Sequence, residues 1–495
     1  MKRSLIVAAV SSVCVGAIAQ EIPLVSWSQS GVSAPWARFH PDNHVTYAAN
    51  ETGISTISYQ IRDPDGFQVG NTLNDVSPFT GIASLDRTRY VGFDQSEIKI
   101  YDLTDGSFLF GGPHGLPLST PAVAAITNDV KYAAVGVVGG GFRVSVFQLD
   151  GPTEVRRLHW GPLFGDVKSL QILDSGLLSV ATTGGNVVLY DFFQGRILRV
   201  CFAEGSVPIV GHRLSPNGLF VFGLGQDSIV RVWRTAQGGA PIAHWLPPLN
   251  GEGLSDFTGD DEHPVALSTD GRVFAAYLRG TTGPDDFGEV VFYRASDGAV
   301  LNRLTALGQL DSLDIRGDYR YAFVSWREPD ESPPHPLIPK IGSWRTGAEL
   351  LLAAPRFSAT ILNTNLPLNK IPLTVELRVG PLVMERHFVE PDATGAFEFA
   401  TSMTGTMDVW VKGPTWLADK VSVDLSSSNP VTFTLRNGDV DGNNSVNVAD
   451  FLQLRQAFGS TGYLYDPAAD LNGDGSVGIA DFLILRQNFG RTGSP

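Results

Sequence analysis

Seven short alternating segments, each closing on an aromatic residue and a Gly-containing turn, constrain the fold of this chain more than any other feature. They read ISTISYQIRDPDG (54–66), IKIYDLTDG (98–106), VSVFQLDG (144–151), VVLYDFFQG (187–195), VRVWRTAQG (230–238), VVFYRASDG (290–298) and IGSWRTG (341–347). Their aromatics are Tyr59, Tyr101, Phe147, Tyr190, Trp233, Tyr293 and Trp344, separated by 42, 46, 43, 43, 60 and 51 residues. A period of about 40–45 residues is that of a four-stranded blade, so the last two intervals read as blades with insertions. Hairpin signals stand upstream of the aromatics, as in LSPNGLFVFGLG (214–225), LSTDGRVFAAYL (267–278) and SLDRTRYVGF (84–93). The seven units predict a seven-bladed β-propeller over residues 20–354, with a sandwich of irregular repeats as the alternative. The strand IPLVSWS (22–28) has the pattern of a blade's last strand and is expected to close the ring by completing the seventh blade.

The units resemble WD-repeat blades. Tyr101-Asp102 and Tyr190-Asp191 stand where that family carries Trp-Asp, and Gly211-His212 stands for its Gly-His. Arg follows the aromatic at Trp233, Tyr293 and Trp344, so the resemblance implies the architecture and a binding platform, not a named activity.

The first twenty residues, MKRSLIVAAVSSVCVGAIAQ, place Lys2 and Arg3 ahead of an apolar run that ends in Ala17-Ile18-Ala19. That is the pattern of a signal peptide over residues 1–19, and the chain is expected to be secreted, with retention at the cell surface left open. Ser11 and Val13 do not fit a lipobox around Cys14. Cleavage after Ala19 leaves Cys201 as the one cysteine, so no disulfide forms within the mature chain. Lys and Arg total 36 against 51 Asp and Glu, and the net charge of −15 argues against nucleic acid or an anionic membrane as partner. No stretch after the signal segment reaches the roughly 18 apolar residues of a membrane span.

After Pro355 the period changes. PLTVELRVG (372–380), TGAFEFAT (394–401), TMDVWVKGPTWLADK (406–420) and PVTFTLRNG (430–438) read as strands of a small antiparallel sandwich within residues 355–436. TGAFEF and VWVK resemble carboxypeptidase-regulatory-like, transthyretin-type modules, which implies a spacer. Trp410 and Trp416 read as core residues, with stacking on sugar as the alternative.

The last segment, 437–495, holds two loops offset by 31 residues, DVDGNNSVNVAD (439–450) and DLNGDGSVGIAD (470–481). Each is followed by a similar run, FLQLRQAFG (451–459) and FLILRQNFG (482–490). Oxygen donors at positions 1, 3, 5 and 12, with a backbone carbonyl at 7, are what a hard cation needs from a short segment, and they predict two calcium ions. In the first loop the ligands are Asp439, Asp441, Asn443, the Ser445 carbonyl and Asp450, with Asn447 at position 9 directly or through water. In the second they are Asp470, Asn472, Asp474, the Ser476 carbonyl and Asp481, with water where Gly478 has no side chain. Gly475 supplies the turn at position 6, and Asn444 replaces it in the first loop, where Asn tolerates the left-handed conformation. The terminus is expected to loosen when calcium is removed. The helices come only after the loops, and Phe451, Leu452 and Phe458, like Phe482, Leu483 and Phe489, are expected to share one apolar face.

Duplicated loop-then-helix units with Asp at position 12 resemble a type I dockerin. The resemblance implies calcium-dependent docking to a cohesin domain and an association with extracellular polysaccharide degradation. Partner-selecting positions 10 and 11 are Val448-Ala449 and Ile479-Ala480, a pair for a different cohesin or for this protein's own sandwich. The near-identical halves also permit docking in two orientations related by about 180°, from the duplication alone.

Catalytic residues are not evident. There is no G-x-S-x-G elbow, the nine histidines show no zinc spacing, GVVGGGF (136–142) reads as a hairpin turn, and Cys201 sits in an apolar strand. FTGDDEH (257–263) and GPDDFGE (283–289) bring Asp260, Asp261, Glu262, His263, Asp285 and Asp286 into loops of the sixth unit, a carboxylate set for glycoside hydrolysis or a surface cation, or simply solvated acids. The leading expectation is a mainly β, secreted, non-catalytic protein: propeller, sandwich spacer and dockerin, the propeller binding a protein or carbohydrate. The rival is a propeller hydrolase or lyase acting on polysaccharide and delivered by its dockerin. A third possibility is that the dockerin docks within its own chain.

Overall fold

The structure, a computed structural model, describes residues 27–30, 32–33, 37–39, 45–51, 57–62 and 73–76, then most of 80–245, 264–346 and 356–495. The signal segment 1–19 and Asp260, Asp261, Glu262, His263, Asp285 and Asp286 lie outside the described residues.

Long runs of β-branched and aromatic residues between Gly-containing turns form strands that pair mainly with their chain neighbours, Val32–Ser33 adding to Val45–Glu51 in the first sheet. Among the described residues this makes six consecutive antiparallel sheets, running from Ala37–Phe39 to Leu73–Val76, Thr80–Ala83 to Phe108–Pro113, Thr120–Ile126 to Thr153–Leu158, Val167–Ile172 to Arg196–Phe202, Ile209–Leu214 to Ala243–Trp245 and Val265–Leu267 to Val300–Leu307. A seventh contains Gln309–Ile315, Tyr321–Pro329 and Leu337–Arg345, and its fourth strand is Trp27–Ser30 from the other end of the chain. Trp27 lies opposite Ser343 and Ser30 opposite Lys340. The chain is a seven-bladed β-propeller whose ring is closed by pairing its first described strand with its last blade.

The repeat aromatics fall on the third strand of every blade. Across to the second strand, Tyr59 faces Ala48, Tyr101 faces Tyr90, Phe147 faces Ala133, Tyr190 faces Leu178, Trp233 faces Val221, Tyr293 faces Phe274 and Trp344 faces Ala322. Beside this aromatic the third and fourth strands slip register in five blades. Such bulges bend a strand and increase its twist, which lets the outer edge of each blade turn away from the axis. Strands inside the ring are covered on both faces by neighbouring blades, so Phe220–Gly225 is buried along its whole length and reads as a continuous apolar run.

A second repeated device sits in the hairpin between first and second strands. The hydroxyls of Ser84, Thr127, Ser215 and Ser268 each accept two backbone N–H groups four and five residues on. The Gly-His element is structural: His212 is buried, its ring bonded by Ser169 and Ser179 of the preceding blade at 2.8 and 2.7 Å. Burial, with Arg213 nearby, pushes its pKa down to about 3. Cys201 is fully buried and its thiol is pushed up to about 12, so it is inert rather than nucleophilic.

After the propeller, two sheets enclose one apolar core. One contains Ala396–Ala400, Arg356–Leu362 and, in parallel, Val431–Thr434; the other orders Leu382–Val389, Leu373–Val379, Thr406–Lys412 and Asp419–Asp424. Ile361, Phe397 and Phe433 from the first meet Leu373, Val375, Leu377, Val409 and Val411 from the second. Three of these strands, at 356–362, 382–389 and 419–424, were not read from sequence. In Leu382–Val389 the first residues are exposed, and only the last three are buried.

Phe388 of that strand leaves the sandwich and joins the propeller core, 6.0 Å from Phe220. Around it, Glu390 accepts the Ser215 hydroxyl, Arg234 donates to Thr374, and Arg272 pairs with Glu398. The sandwich therefore sits on the rim that carries the first hairpin turns of blades five and six. A cavity of about 270 Å³ opens beside the same turns, lined by the first strands of the blades, with Gln171, Arg213 and Asp314 among its polar groups.

Candidate metal centre

Position 12 of each loop does two jobs. Asp450 and Asp481 are buried, and each is the third residue of its helix, α1 (Val448–Ala457) and α2 (Ile479–Asn488). Asp450 accepts the N–H groups of Asp441 at 3.1 Å and Asn447 at 2.7 Å. Asp481 accepts those of Leu471 at 2.7 Å, Asn472 at 3.1 Å and Gly478 at 2.8 Å. The same carboxylate thus caps its helix and folds the loop back on itself. Position 1 holds the turn from the other side: Asn444 N donates to Asp439 Oδ2 at 2.9 Å, and Gly475 N to Asp470 Oδ2 at 2.8 Å. Both turn residues are left-handed, with φ of 70° at Asn444 and 85° at Gly475, as positions that favour Asn or Gly require.

In the first loop a carboxylate oxygen from each of Asp439, Asp441 and Asp450 lies within 4.8 Å of the others. Asp439 is fully buried, and its Oδ1 has no hydrogen-bond partner. A buried carboxylate oxygen left unpaired beside two other carboxylates fits a divalent cation, whose charge would offset their repulsion. Asn443 and Ser445 lie on the same turn, Ser445 N bonding Asn443 Oδ1 at 2.9 Å, while Asn447 Oδ1 caps α1 through Ala449 N at 2.8 Å. In the second loop Asp470 Oδ1 accepts from Gly473 and Asp474 at 2.8 and 3.2 Å, and Asn472 Nδ2 donates to Asp474 Oδ2 at 2.9 Å. Hydrogen bonds from Ser476 and Asn472 hold the Asp474 carboxyl below the ordinary Asp range.

The two units brace each other. Gly459 after α1 donates to the carbonyl of Val477 at 2.9 Å, and Gly490 after α2 donates to that of Val446 at 2.8 Å, positions that the 31-residue offset makes equivalent. Leu454 and Leu485 fill the centre, and Phe451 meets Phe482 with ring centroids 6.0 Å apart.

The expected single apolar face is corrected here. Asp450, Leu454 and Ala457 face inward, whereas Leu452 and Phe458, with Leu483 and Phe489, are exposed. At 100° per residue, Leu452 is turned roughly 200° from Asp450, so the apolar residues divide between two faces. Val448, Leu452, Ile479 and Leu483 are 59, 45, 69 and 46% exposed, and Ala449 and Ala480 are exposed as well. Positions 10 and 11 therefore do not pack on the sandwich.

A different side of the module does. Trp416 and Leu417 pair with Asn437 and Arg436, the N–H groups of Gly438 and Asp439 both bond the Thr415 carbonyl, and Leu417 joins the loop core. Asn444, beyond supplying the turn, accepts Ala418 N at 2.8 Å and donates to the Ser494 carbonyl at 3.0 Å. Trp410 Nε1 donates to the same carbonyl at 3.0 Å and Arg378 stacks on its ring at 4.3 Å, and because Trp410 is half-buried and outside the sandwich core, its reading as a core residue is corrected. Trp416 is buried in the sandwich core. Arg199 of the fourth blade reaches Asp466 between the two units at 3.1 Å.

Taken together, these features define a propeller protein ending in a paired loop-helix module whose first loop brings three carboxylates together. Residues 437–490 match the family model of the dockerin type I domain, a family that binds calcium. No curated protein matches the chain. Among solved structures, 65% of the chain aligns with 99% of the Myceliophteria thermophila Cps50 (Swd1) beta-propeller domain, at 15% identity and a TM-score of 0.49. Among the described residues no helix is long and apolar enough to cross a membrane.

Proposed function

We propose that the chain is a secreted, non-catalytic binding protein whose dockerin holds two calcium ions and docks to a cohesin domain in an extracellular polysaccharide-degrading system, while the propeller presents a second surface to a protein or carbohydrate. Asp439, Asp441, Asn443, Ser445, Asn447 and Asp450 serve one ion, and Asp470, Asn472, Asp474, Ser476 and Asp481 the other. The observation that carries this reading is the duplicated exposed stripe, Val448 with Leu452 and Ile479 with Leu483, on a module whose other side is fixed to the sandwich. Apolar side chains repeated on the free side of a fixed module supply the kind of anchor that a partner protein covers.

The test is calorimetric titration of the full chain into a panel of cohesin domains, with calcium and with chelator. Binding that needs calcium and is lost in the double variant Val448→Asp, Ile479→Asp supports the reading; no binding across the panel at saturating calcium sinks the cohesin assignment. The same protein is incubated with a polysaccharide panel, where released reducing sugar would favour the rival hydrolase or lyase.

A further inference from the structure

Beside the first loop stands a cation that belongs to the sandwich. Lys412 Nζ lies 2.5 Å from Asp439 Oδ2, 2.8 Å from the Trp416 carbonyl and 3.4 Å from that of Gly413. Its side chain is 13% exposed and that of Asp439 is fully buried. Three acceptors hold the ammonium against the back of the position 1 carboxylate, and the oxygen on the other side, Asp439 Oδ1, is the unpaired one. Lys412 also lies opposite Thr374 in the sheet, whose hydroxyl receives Arg234 of the propeller.

We propose that Lys412 is a positioning residue of the first calcium site, a resident counter-cation that presents Asp439 Oδ1 to the metal and keeps the loop folded and docked when calcium is scarce. This rests on the calcium reading above. Three carboxylates within 4.8 Å repel one another, and a fixed positive charge on one of them relieves part of that repulsion without a metal. The same charge opposes an arriving dication, so calcium affinity at this loop is lower than its own carboxylates would give, because affinity in such loops follows ligand charge. The first loop is then an anchor that stays folded without calcium and binds it more weakly, and the larger structural response to calcium belongs to the second.

The experiment uses the full chain with the second loop silenced by Asp481→Asn, and compares calcium titrations of this protein with and without Lys412→Met at one fixed pH. Hydrogen exchange at residues 444–446 is followed in chelator. The expected result is about tenfold tighter calcium binding in Lys412→Met, with fast exchange of these amides in chelator. Lys412→Arg, which keeps the charge, restores their protection. Unchanged affinity and unchanged exchange in Lys412→Met overturn the proposal. If Lys412→Met does not fold, unsubstituted protein still decides: loss of protection at residues 444–446 on chelation overturns the proposal, and retained protection supports it. If neither loop of the unsubstituted protein binds calcium, the calcium reading falls and this inference with it, whereas calcium binding with an inert Lys412 overturns the inference alone.

Discussion

Glu390 is a sandwich carboxylate half-buried against a propeller turn. Burial raises its pKa above the ordinary Glu value, while hydrogen bonds from Ser215, Asn217 and Leu219 work in the opposite direction. A carboxylate whose pKa is raised by folding binds its proton more tightly in the native state, so it lowers stability as pH rises from the unfolded value through the folded one. The Glu390→Gln variant, which keeps an acceptor oxygen and removes the charge, is expected to melt higher than the unsubstituted protein at about pH 7 and to lose that advantage below about pH 4. Paired thermal scans across that range check it, and an advantage independent of pH would show that the charge is not the cause. Asn444 gives a second residue-scale test. Asn444→Gly preserves the left-handed turn but removes the bonds to Ala418 and Ser494. It should free the tail after Arg491, seen as faster exchange of Gly493 and Ser494, while calcium binding at the loop persists. The choice of Asn over Gly at this position was legible as conformational tolerance only, because the atoms its amide reaches are 26 and 50 residues away in the chain.

At the scale of elements, α1 shows what periodicity does and does not settle. Leu452 and Leu454 are two residues apart, equally apolar, and have opposite fates: Leu454 is buried between the helices and Leu452 faces solvent. Leu454→Ala should cost about 2–5 kcal/mol of module stability, as large-to-small changes in a packed core do. Leu452→Ala should cost under about 1 kcal/mol and instead weaken partner binding. Chemical denaturation followed by helical circular dichroism separates the two, and equal costs would mean that both leucines are core. The loop chemistry that precedes these helices was legible because each loop's oxygens come from twelve consecutive residues. The helix faces were not, since a helix with two apolar sides does not reveal which side has a neighbour.

At the scale of the molecule, the ring depends on one pairing between distant ends of the chain, Trp27–Ser30 with Leu337–Arg345. Deleting residues 20–30 should lower the melting temperature of the propeller and promote association, because the 337–345 strand would then present an open edge. Differential scanning calorimetry and light scattering read both effects, and an unchanged melting transition would mean that the ring is held by blade packing alone. The sequence by itself determined what depends on local order: the blade period, the seven aromatics on their third strands, the hairpin turns and the two oxygen-rich loops. Each of these needs only neighbours within one blade or one loop. Tertiary structure alone decided that the sandwich sets Phe388 and Glu390 against the propeller, that Lys412 stands on Asp439, and that Val448, Leu452, Ile479 and Leu483 of the loop-helix module stay exposed. Those outcomes depend on groups brought together across tens to hundreds of residues, where no periodic pattern links one partner to the other.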